Sequence, residues 1–237
     1  MTLLRRTPLF SALREEVFDR LMGAVAVQAY RARQPLFRQG DPATCMFVVL
    51  DGWVKYFHLN RSGLETVIDV VSTGRSFGET LAPVGGVYEG SADAATPARV
   101  ARLPAGALRE ALTDSREMVD AVLRLSNDWA TSLIRTFQRF HHQGIDERLA
   151  RLILSLSPER EGRSCFPLPY AKSLIADQLG VDKATISRSF RRLRELGVIV
   201  DKRDVAIENV GRLERELAPG RGASTPPARA ARNVAPI

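Results

Sequence analysis

Residues 171–198 read AKSLIADQLGVDKATISRSFRRLRELGV and have the pattern of two helices joined by a tight turn. Ile175 and Leu179 are four positions apart, which gives the first helix an apolar face. Gly180 follows, and glycine adopts the left-handed conformation of a sharp turn without a steric penalty. Asp182 is then well placed to cap the second helix, because its carboxylate can accept from the free amides of the first turn.

The second helix has two contrasting faces. Ile186, Phe190 and Leu193 recur at helical spacing and are expected to pack on the first helix. Basic and hydroxyl side chains make up the other face: Lys183, Thr185, Ser187, Arg188, Arg191, Arg192 and Arg194. A basic face alone is common on solvated helices, but the turn and the cap beside it favour a helix that enters the major groove of DNA.

A small β-hairpin is predicted directly after this helix. Residues 196–200 end the helix at a glycine and begin an alternating strand, residues 201–204 form a polar turn, and residues 205–207 return as a second strand. Lys202 and Arg203 lie at the tip, where they could reach phosphates. The whole unit is therefore predicted to be a winged helix-turn-helix.

These residues resemble the CRP/FNR family of bacterial transcription regulators. The recognition helix of that family carries a Glu-x-x-Ser-Arg pattern, which here is matched by Ser187 and Arg188, while Ala184 replaces the glutamate. The resemblance extends over roughly residues 10–215. It implies an α+β protein with an N-terminal cyclic-nucleotide-binding-like β-roll, a long dimerisation helix and a C-terminal DNA-binding domain, assembled as a homodimer that acts on double-stranded DNA with RNA polymerase as a further partner.

The predicted DNA contacts divide into base reading and phosphate binding. Arg188 is expected to make a bidentate contact to a guanine, with Thr185 and Ser187 touching bases or phosphates nearby. The residues expected to contact mostly phosphate are Lys183, Arg191, Arg192, Lys202 and Arg203.

Short β-rich runs separated by turn residues dominate the first half of the chain. They follow a predicted helical segment at residues 8–25 and indicate a sandwich or barrel. The spacing of five glycines resembles the cyclic-nucleotide-binding β-roll: Gly40, Gly52, Gly63, Gly74 and Gly78. Residues 1–112 are therefore predicted to form the sensory domain.

Three residues of this domain form the predicted effector pocket: Gly78, Glu79 and Ser91. The resemblance implies that a cyclic-nucleotide pocket also needs an arginine before the serine, to neutralise the cyclic phosphate. Gly90 stands at that position, with Glu89 beside it. A phosphate would lose its main counter-charge there, which argues against cyclic AMP.

Other cofactors are constrained by the cysteine and histidine content. Residues 1–44 contain no cysteine, which argues strongly against the iron–sulfur cluster of the oxygen-sensing branch. The runs at 37–43, 54–57 and 68–70 look like the nitric-oxide-responsive, DNR-like branch, which implies haem. The candidate axial ligands are His58, His141 and His142, each of which also reads as an ordinary surface or structural residue. Haem, another small ligand or no ligand all remain open.

A long helix without glycine or proline is predicted at residues 115–142. Its length would be roughly 40 Å, so one small domain cannot cover it on all sides. The apolar stripe is expected to form the dimer interface, or alternatively to pack on the β-roll, and consists of Met118, Val122, Leu125, Trp129, Leu133 and Phe140. The helix and its hinge at Gly144 span residues 113–144, the DNA-binding domain spans 145–217, and a disordered tail is predicted for 218–237.

Composition agrees with a basic, globular regulator. The chain has 237 residues, a formal net charge of +7 and 45% hydrophobic residues, which suits a partner that is a polyanion. No apolar run is long enough for a membrane span, and two widely separated cysteines suggest a cytoplasmic protein. No catalytic triad, metal triad or phosphate loop is present, so an enzyme is not expected. A cyclic-nucleotide-binding regulatory protein without DNA function is the alternative, although it leaves the second domain unexplained.

Overall fold

The computed structural model describes residues 2–78 and 84–218. It opens with two helices, α1 (Thr2–Arg5) and α2 (Glu15–Ala24), where the sequence predicted one helical segment at 8–25. That segment starts as turns because the N–H groups of both Phe10 and Ser11 donate to the carbonyl of Thr7. Its apolar residues are nevertheless buried in the core, so the packing follows the prediction although the helix is shorter.

The N-terminal domain is a β-roll built from two antiparallel sheets. One sheet has the strand order β1-β8-β3-β6 and the other β2-β7-β4-β5. The strands are β1 (Ala26–Tyr30), β2 (Pro35–Phe37), β3 (Cys45–Asp51), β4 (Trp53–Leu59), β5 (Glu65–Ser72), β6 (Ser76–Phe77), β7 (Ser91–Ala94) and β8 (Ala98–Pro104).

A tight turn at Gly52 joins β3 to β4 and so links the two sheets. Its φ is +80°, and a Cβ at this position would lie 2.3 Å from the carbonyl oxygen of Pro97. Only glycine fits there, because both the conformation and the close backbone approach exclude a side chain. The turn therefore positions the two sheets on either side of a shared apolar core.

Two helices follow the β-roll. They are α3 (Ala105–Asp114) and α4 (Arg116–His142), in agreement with the predicted short and long helices. Ser115 begins α4, and its Oγ accepts from the N–H of Met118 at 3.2 Å. The first turns of α4 are packed into the β-roll core, where Met118 has no exposed surface.

The C-terminal domain is a winged helix-turn-helix, as predicted. Its helices are α5 (Ile145–Leu156), α6 (Lys172–Leu179), α7 (Lys183–Arg192), extended by a 3₁₀ turn (Leu193–Leu196), and α8 (Val210–Glu216). Its strands are β9 (Ser164–Pro167), β10 (Val198–Asp201) and β11 (Asp204–Ile207), in the order β10-β11-β9. The hairpin β10–β11 was predicted, whereas β9 and α8 were not.

The two domains touch through the outer face of β5. Val67 and Val70 of β5 are buried in the same apolar cluster as the helices of the winged domain. Trp53 packs edge-on against Tyr170, with 5.2 Å between ring centroids. The long helix is thus not the only connection between the sensory and the DNA-binding parts.

Candidate nucleic-acid interface

The turn between α6 and α7 has the predicted geometry. Gly180 is left-handed, with φ +66° and ψ +38°, and its N–H donates to the carbonyls of Ala176 and Asp177. Asp182 caps α7, because its carboxylate accepts from the N–H of Thr185 at 2.7 Å. These hydrogen bonds fix the angle at which α7 leaves α6, so the direction of the second helix is set locally.

α7 presents its basic face to solvent. Ile186 and Phe190 are buried against the rest of the domain, together with the small Ser189. The opposite face includes four fully exposed residues and the half-buried Thr185. The exposed residues are Lys183, Ser187, Arg188 and Arg191. This face can therefore reach a groove without any rearrangement of the domain.

A chain of hydrogen bonds holds the side chain of Arg188. Its Nη2 donates to Oγ1 of Thr185 at 3.1 Å, and that hydroxyl donates in turn to Asp182 at 2.9 Å. The amide and hydroxyl of Thr185 lower the pKa of Asp182, so its carboxylate stays charged. The sequence predicts that Thr185 touches bases or phosphates. In the structure its hydroxyl orients Arg188, the residue predicted to contact a guanine.

A basic groove runs beside Ser187 and Arg191 and includes two residues outside the predicted contact set. Lys172 begins α6, and its Nζ lies 5.0 Å from the ring centre of Phe190. Arg194 lines the same groove from the 3₁₀ turn. Three cations around one shallow groove suit a phosphate of the DNA backbone. Arg194 was visible on the polar face in the sequence, whereas Lys172 was missed because it is distant in sequence.

Two arginines that are predicted to contact phosphate are hydrogen-bonded to other residues of the chain. Arg192 forms a two-pronged ion pair with Asp146 of α5, at 2.6 and 3.0 Å. Burial opposes the charge on Asp146, but hydrogen bonds from Arg192 and Ser189 outweigh it and lower its pKa. The guanidinium of Arg192 therefore joins α7 to α5, and its contact with phosphate stays a prediction.

Arg203, which is also predicted to contact phosphate, is hydrogen-bonded within the chain as well. Its guanidinium donates to the carbonyls of Leu168 and Pro169 at 2.7 and 3.2 Å. These bonds tie the wing to the segment before α6, so the side chain braces the hairpin. Lys202, with φ +48° at the tip of the same turn, is exposed, and its contact with the DNA backbone stays a prediction.

Aromatic rings fill the interior of the β-roll around the predicted effector pocket. Tyr88 stacks on Phe37 with 3.8 Å between centroids, and Phe47 stacks on Phe77 at 5.2 Å. The hydroxyl of Tyr88 donates to the carbonyl of Cys45 at 2.6 Å. The pocket wall is therefore a braced aromatic cluster.

The predicted pocket residues themselves surround this cluster. A Cβ added to Gly78 would contact the ring of Tyr88 at 3.7 Å, and Ser91 is buried with its Oγ accepting from the N–H of Gln39. Glu79 lies outside the described residues. At Gly90 a Cβ would stand 2.7 Å from the carbonyl of Phe57, so an arginine cannot occupy this site without displacement of backbone.

The candidate haem ligands are only partly described. His58 is exposed, and its Nε2 lies 3.1 Å from Nε2 of Gln39. The side chains of His141 and His142 lie outside the described set. Within residues 2–78 and 84–218, no group of three or more histidine, cysteine or acidic side chains is arranged to hold a metal ion.

The first part of the predicted dimer stripe on α4 packs on the β-roll of its own chain. Met118 is wholly buried in the β-roll core, and Val122 and Leu125 pack against the same cluster. The prediction is wrong for Met118, because no surface of it is left for a second copy. Trp129 and Leu133, further along, are 53% and 41% exposed. The side chain of Phe140 lies outside the described set.

Each of the two domains matches a known family of protein domains. Residues 27–115 match the cyclic nucleotide-binding domain, and residues 147–216 match the Crp-like helix-turn-helix domain. The transcriptional activator protein Anr of Pseudomonas aeruginosa is 27% identical over 172 residues, which cover 69% of this chain and 68% of Anr. No helix among the described residues is both long and apolar enough to cross a membrane.

Two solved structures extend the similarity across both domains. A protein of Ruegeria pomeroyi, described as cyclic-nucleotide-binding, is 30% identical with a TM-score of 0.70, and the match covers 92% of this chain and 97% of that one. DNR from Pseudomonas aeruginosa is 26% identical with a TM-score of 0.50, over 90% and 96% of the two chains. With a β-roll joined to a winged helix-turn-helix, the chain belongs to the CRP/FNR family of DNA-binding transcription regulators.

Proposed function

We propose that this regulator binds a two-fold operator as a homodimer, with one α7 helix in each of two successive major grooves. The observation that carries the proposal is the exposed face of α7, where Lys183, Arg188 and Arg191 stand without an acidic neighbour on the helix. The half-sites should lie about one helical turn apart, since that spacing lets two symmetric helices enter the same side of the duplex. Arg188 reads a guanine, and Lys183, Arg191 and Lys202 bind phosphates.

The face of α4 that points away from its own chain is the proposed dimer surface. Leu123 and Ile134 are 62% and 59% exposed, and the exposed Asn127 and Ala130 lie between them. These four positions are separated by 4, 3 and 4 residues, which is the spacing of a coiled-coil seam. Two copies of the helix would cover this seam, and a polar Asn127 within it would favour one register.

The signal is proposed to enter through the sensory half of the molecule. Cyclic AMP is disfavoured because Gly90 stands where the phosphate needs an arginine, and the backbone around it leaves no room for a side chain. Haem remains an alternative that an absorption spectrum of the purified protein tests directly. A cytoplasmic location and contact with RNA polymerase complete the proposal, and the match to the Crp-like helix-turn-helix domain supports both.

Selection of randomised duplexes with the full-length protein tests the proposal. The expected result is a two-fold consensus, and Arg188→Ala should weaken its binding by roughly 1–3 kcal/mol while relaxing preference at one guanine per half-site. An unchanged consensus for Arg188→Ala would remove this residue from base reading. Failure of the wild type to enrich any duplex would instead favour the alternative of a regulatory protein without DNA function.

A further inference from the structure

A cavity of about 450 Å³ lies where the β-roll, the long helix and the winged domain meet. Its walls come from β5, from the second half of α4, and from α5 and α6. Gly78 and Ser91 of the predicted effector pocket do not line it. The volume lies within the range of sites that hold small organic molecules.

Part of the wall is apolar. Trp129 and Leu133 enter it from α4, Leu152 from α5, Leu179 from α6 and Ile68 from β5. Trp129, Leu133 and Ile68 keep about half of their surface exposed, at 53%, 41% and 39%. The apolar stripe of α4 is therefore covered by the β-roll at its start, whereas its later residues border this cavity. An apolar group in the cavity would cover the exposed part of these side chains.

The rest of the wall is positively charged. Three arginines, Arg75, Arg148 and Arg151, line the cavity with Asp69 as the one acidic residue among its described lining. Arg75 is paired with Asp69 at 2.8 Å, while Arg151 pairs with Glu147 at 2.9 Å, outside the lining. Arg148 donates from Nη2 to the carbonyl of Leu179, and burial lowers the pKa of its guanidinium. An anion in the cavity would offset that loss of hydration.

One buried donor also points to a missing acceptor. Nε of Arg151 is shielded from solvent and has no hydrogen-bond partner in the described part of the chain. Its Nη2 is already engaged by Glu147 and by the carbonyl of Leu217, so the guanidinium is held in place. A buried donor left without an acceptor is costly, and a ligand oxygen would satisfy it once the side chains that shield it move aside.

We propose that this cavity is an effector site for a small organic anion, namely a carboxylate attached to an aromatic or aliphatic body. The carboxylate is held by Arg151 and Arg148, and the apolar body packs on Trp129 and Leu133. Inorganic phosphate lacks the apolar part, and a neutral aromatic lacks the charge, so both should bind worse. This inference rests on the proposed function, because such a ligand would touch β5, α4 and the winged domain together and would stabilise one arrangement of the three.

Calorimetry of the full-length protein without DNA tests the site by itself. The probes are phenylacetate, indole-3-acetate and 4-phenylbutyrate. Two controls accompany them: 2-phenylethanol has the aromatic ring without the charge, and inorganic phosphate has the charge without an apolar part. At least one of the three carboxylates should bind, with an affinity about tenfold or more above those of both controls. Absence of binding by all three carboxylates at millimolar concentration, or equal binding of 2-phenylethanol, would overturn the proposal.

Two variants locate the binding in the cavity, and a third serves as a control. Arg151→Gln should weaken carboxylate binding about tenfold or more, because it removes the charge beside the ligand. Ser155→Trp places a large ring in the cavity from an exposed lining position, and should abolish binding while leaving Arg151 intact. Arg124→Gln changes an exposed arginine of α4 outside the cavity and should bind as the wild type does.

The outcomes separate this inference from the proposed function. Unaltered binding by Ser155→Trp would place the ligand elsewhere and contradict the inference, even if the protein selects a DNA consensus. Carboxylate binding that Ser155→Trp abolishes would support the site even if no duplex is enriched, since the calorimetry contains no DNA.

Discussion

At the scale of single residues, α7 separates exposed side chains, which we propose bind DNA, from side chains that hold the domain together. Arg188 and Arg191 project from the exposed face, whereas the adjacent Arg192 is paired with Asp146. The same contrast occurs in the wing between Lys202 and Arg203. Residue type alone does not distinguish these roles, because each arginine carries the same charge and the difference is the partner within reach.

Thr185 should influence base reading through Arg188. Thr185→Val removes the hydroxyl that links Arg188 to Asp182 while keeping the shape of the side chain. We expect weaker binding and a less sharp preference at the guanine position. In a double-mutant cycle with Arg188→Ala, the two losses should fall short of additivity by about 0.5 kcal/mol or more. Fully additive losses, measured by fluorescence anisotropy, would mean that Thr185 acts independently of Arg188.

Arg191 and Arg192 form a matched pair for testing phosphate binding. Arg191→Ala should weaken binding to all sequences alike and reduce the slope of log affinity against log salt by about one unit. Arg192→Ala should leave that slope unchanged but lower the melting temperature, because Asp146 loses its partner. Salt titrations and thermal melts of both variants provide the measurement. If both variants reduce the salt slope equally, Arg192 also contacts phosphate.

At the scale of elements, α4 has two apolar faces with different partners. The face that begins at Met118 packs on the β-roll, and the face with Leu123 and Ile134 is exposed. Periodicity places the dimer seam on the first face because its apolar residues are larger and extend over a longer part of the helix. The residues of the second face lie about one position after those of the first, so this face is turned around the helix axis. The polar Asn127 interrupts it, which makes its apolar periodicity harder to see in the sequence.

Variants of α4 should separate folding from dimerisation. Met118→Ala removes most of a buried side chain and should destabilise the β-roll by about 2–5 kcal/mol, as other large-to-small core changes do. It should leave the dimer intact at temperatures where the protein is folded. Ile134→Glu should instead produce folded monomers in sedimentation, because like charges would meet at the two-fold axis. A dimer of wild-type strength in Ile134→Glu would exclude the exposed face as the seam.

At the scale of the whole molecule, the contact of β4 and β5 with the winged domain bypasses the hinge. Trp53 and Tyr170 meet edge to face, and the hydroxyl of Tyr170 donates to Gln178 of α6 at 3.0 Å. Burial raises the pKa of Tyr170, so the hydroxyl stays protonated as a donor at physiological pH. A change in the β-roll can therefore reach the helix-turn-helix directly as well as through α4.

Loss of this contact should release the winged domain from the β-roll. Trp53→Ala removes the ring that packs on Tyr170, an aromatic pair typically worth about 0.5–1.5 kcal/mol beyond its buried area. We expect faster proteolysis at the exposed hinge around Gly144 and two resolved unfolding transitions in calorimetry. Trp53→Phe keeps a ring at the same place and should resemble the wild type. Equal hinge cleavage in Trp53→Ala and the wild type would show that the domains are held together by other contacts.

The sequence by itself determined the local features of this protein. The left-handed Gly180, the cap at Asp182 and the hairpin behind α7 each depend on residues a few positions apart, and all were predicted correctly. Their hydrogen bonds join residues that are close along the chain, so the signal lies in the sequence itself.

Only the tertiary structure decided which side chains are available and which faces are covered. Arg192 meets Asp146 from 46 residues away, and Arg203 meets Leu168 from 35. The covered face of α4, the crowding at Gly90 and the cavity at the domain junction likewise depend on elements that are distant along the chain. Periodicity shows that a face is apolar, but packing between distant segments determines whether its partner is the same chain, a second copy or a ligand.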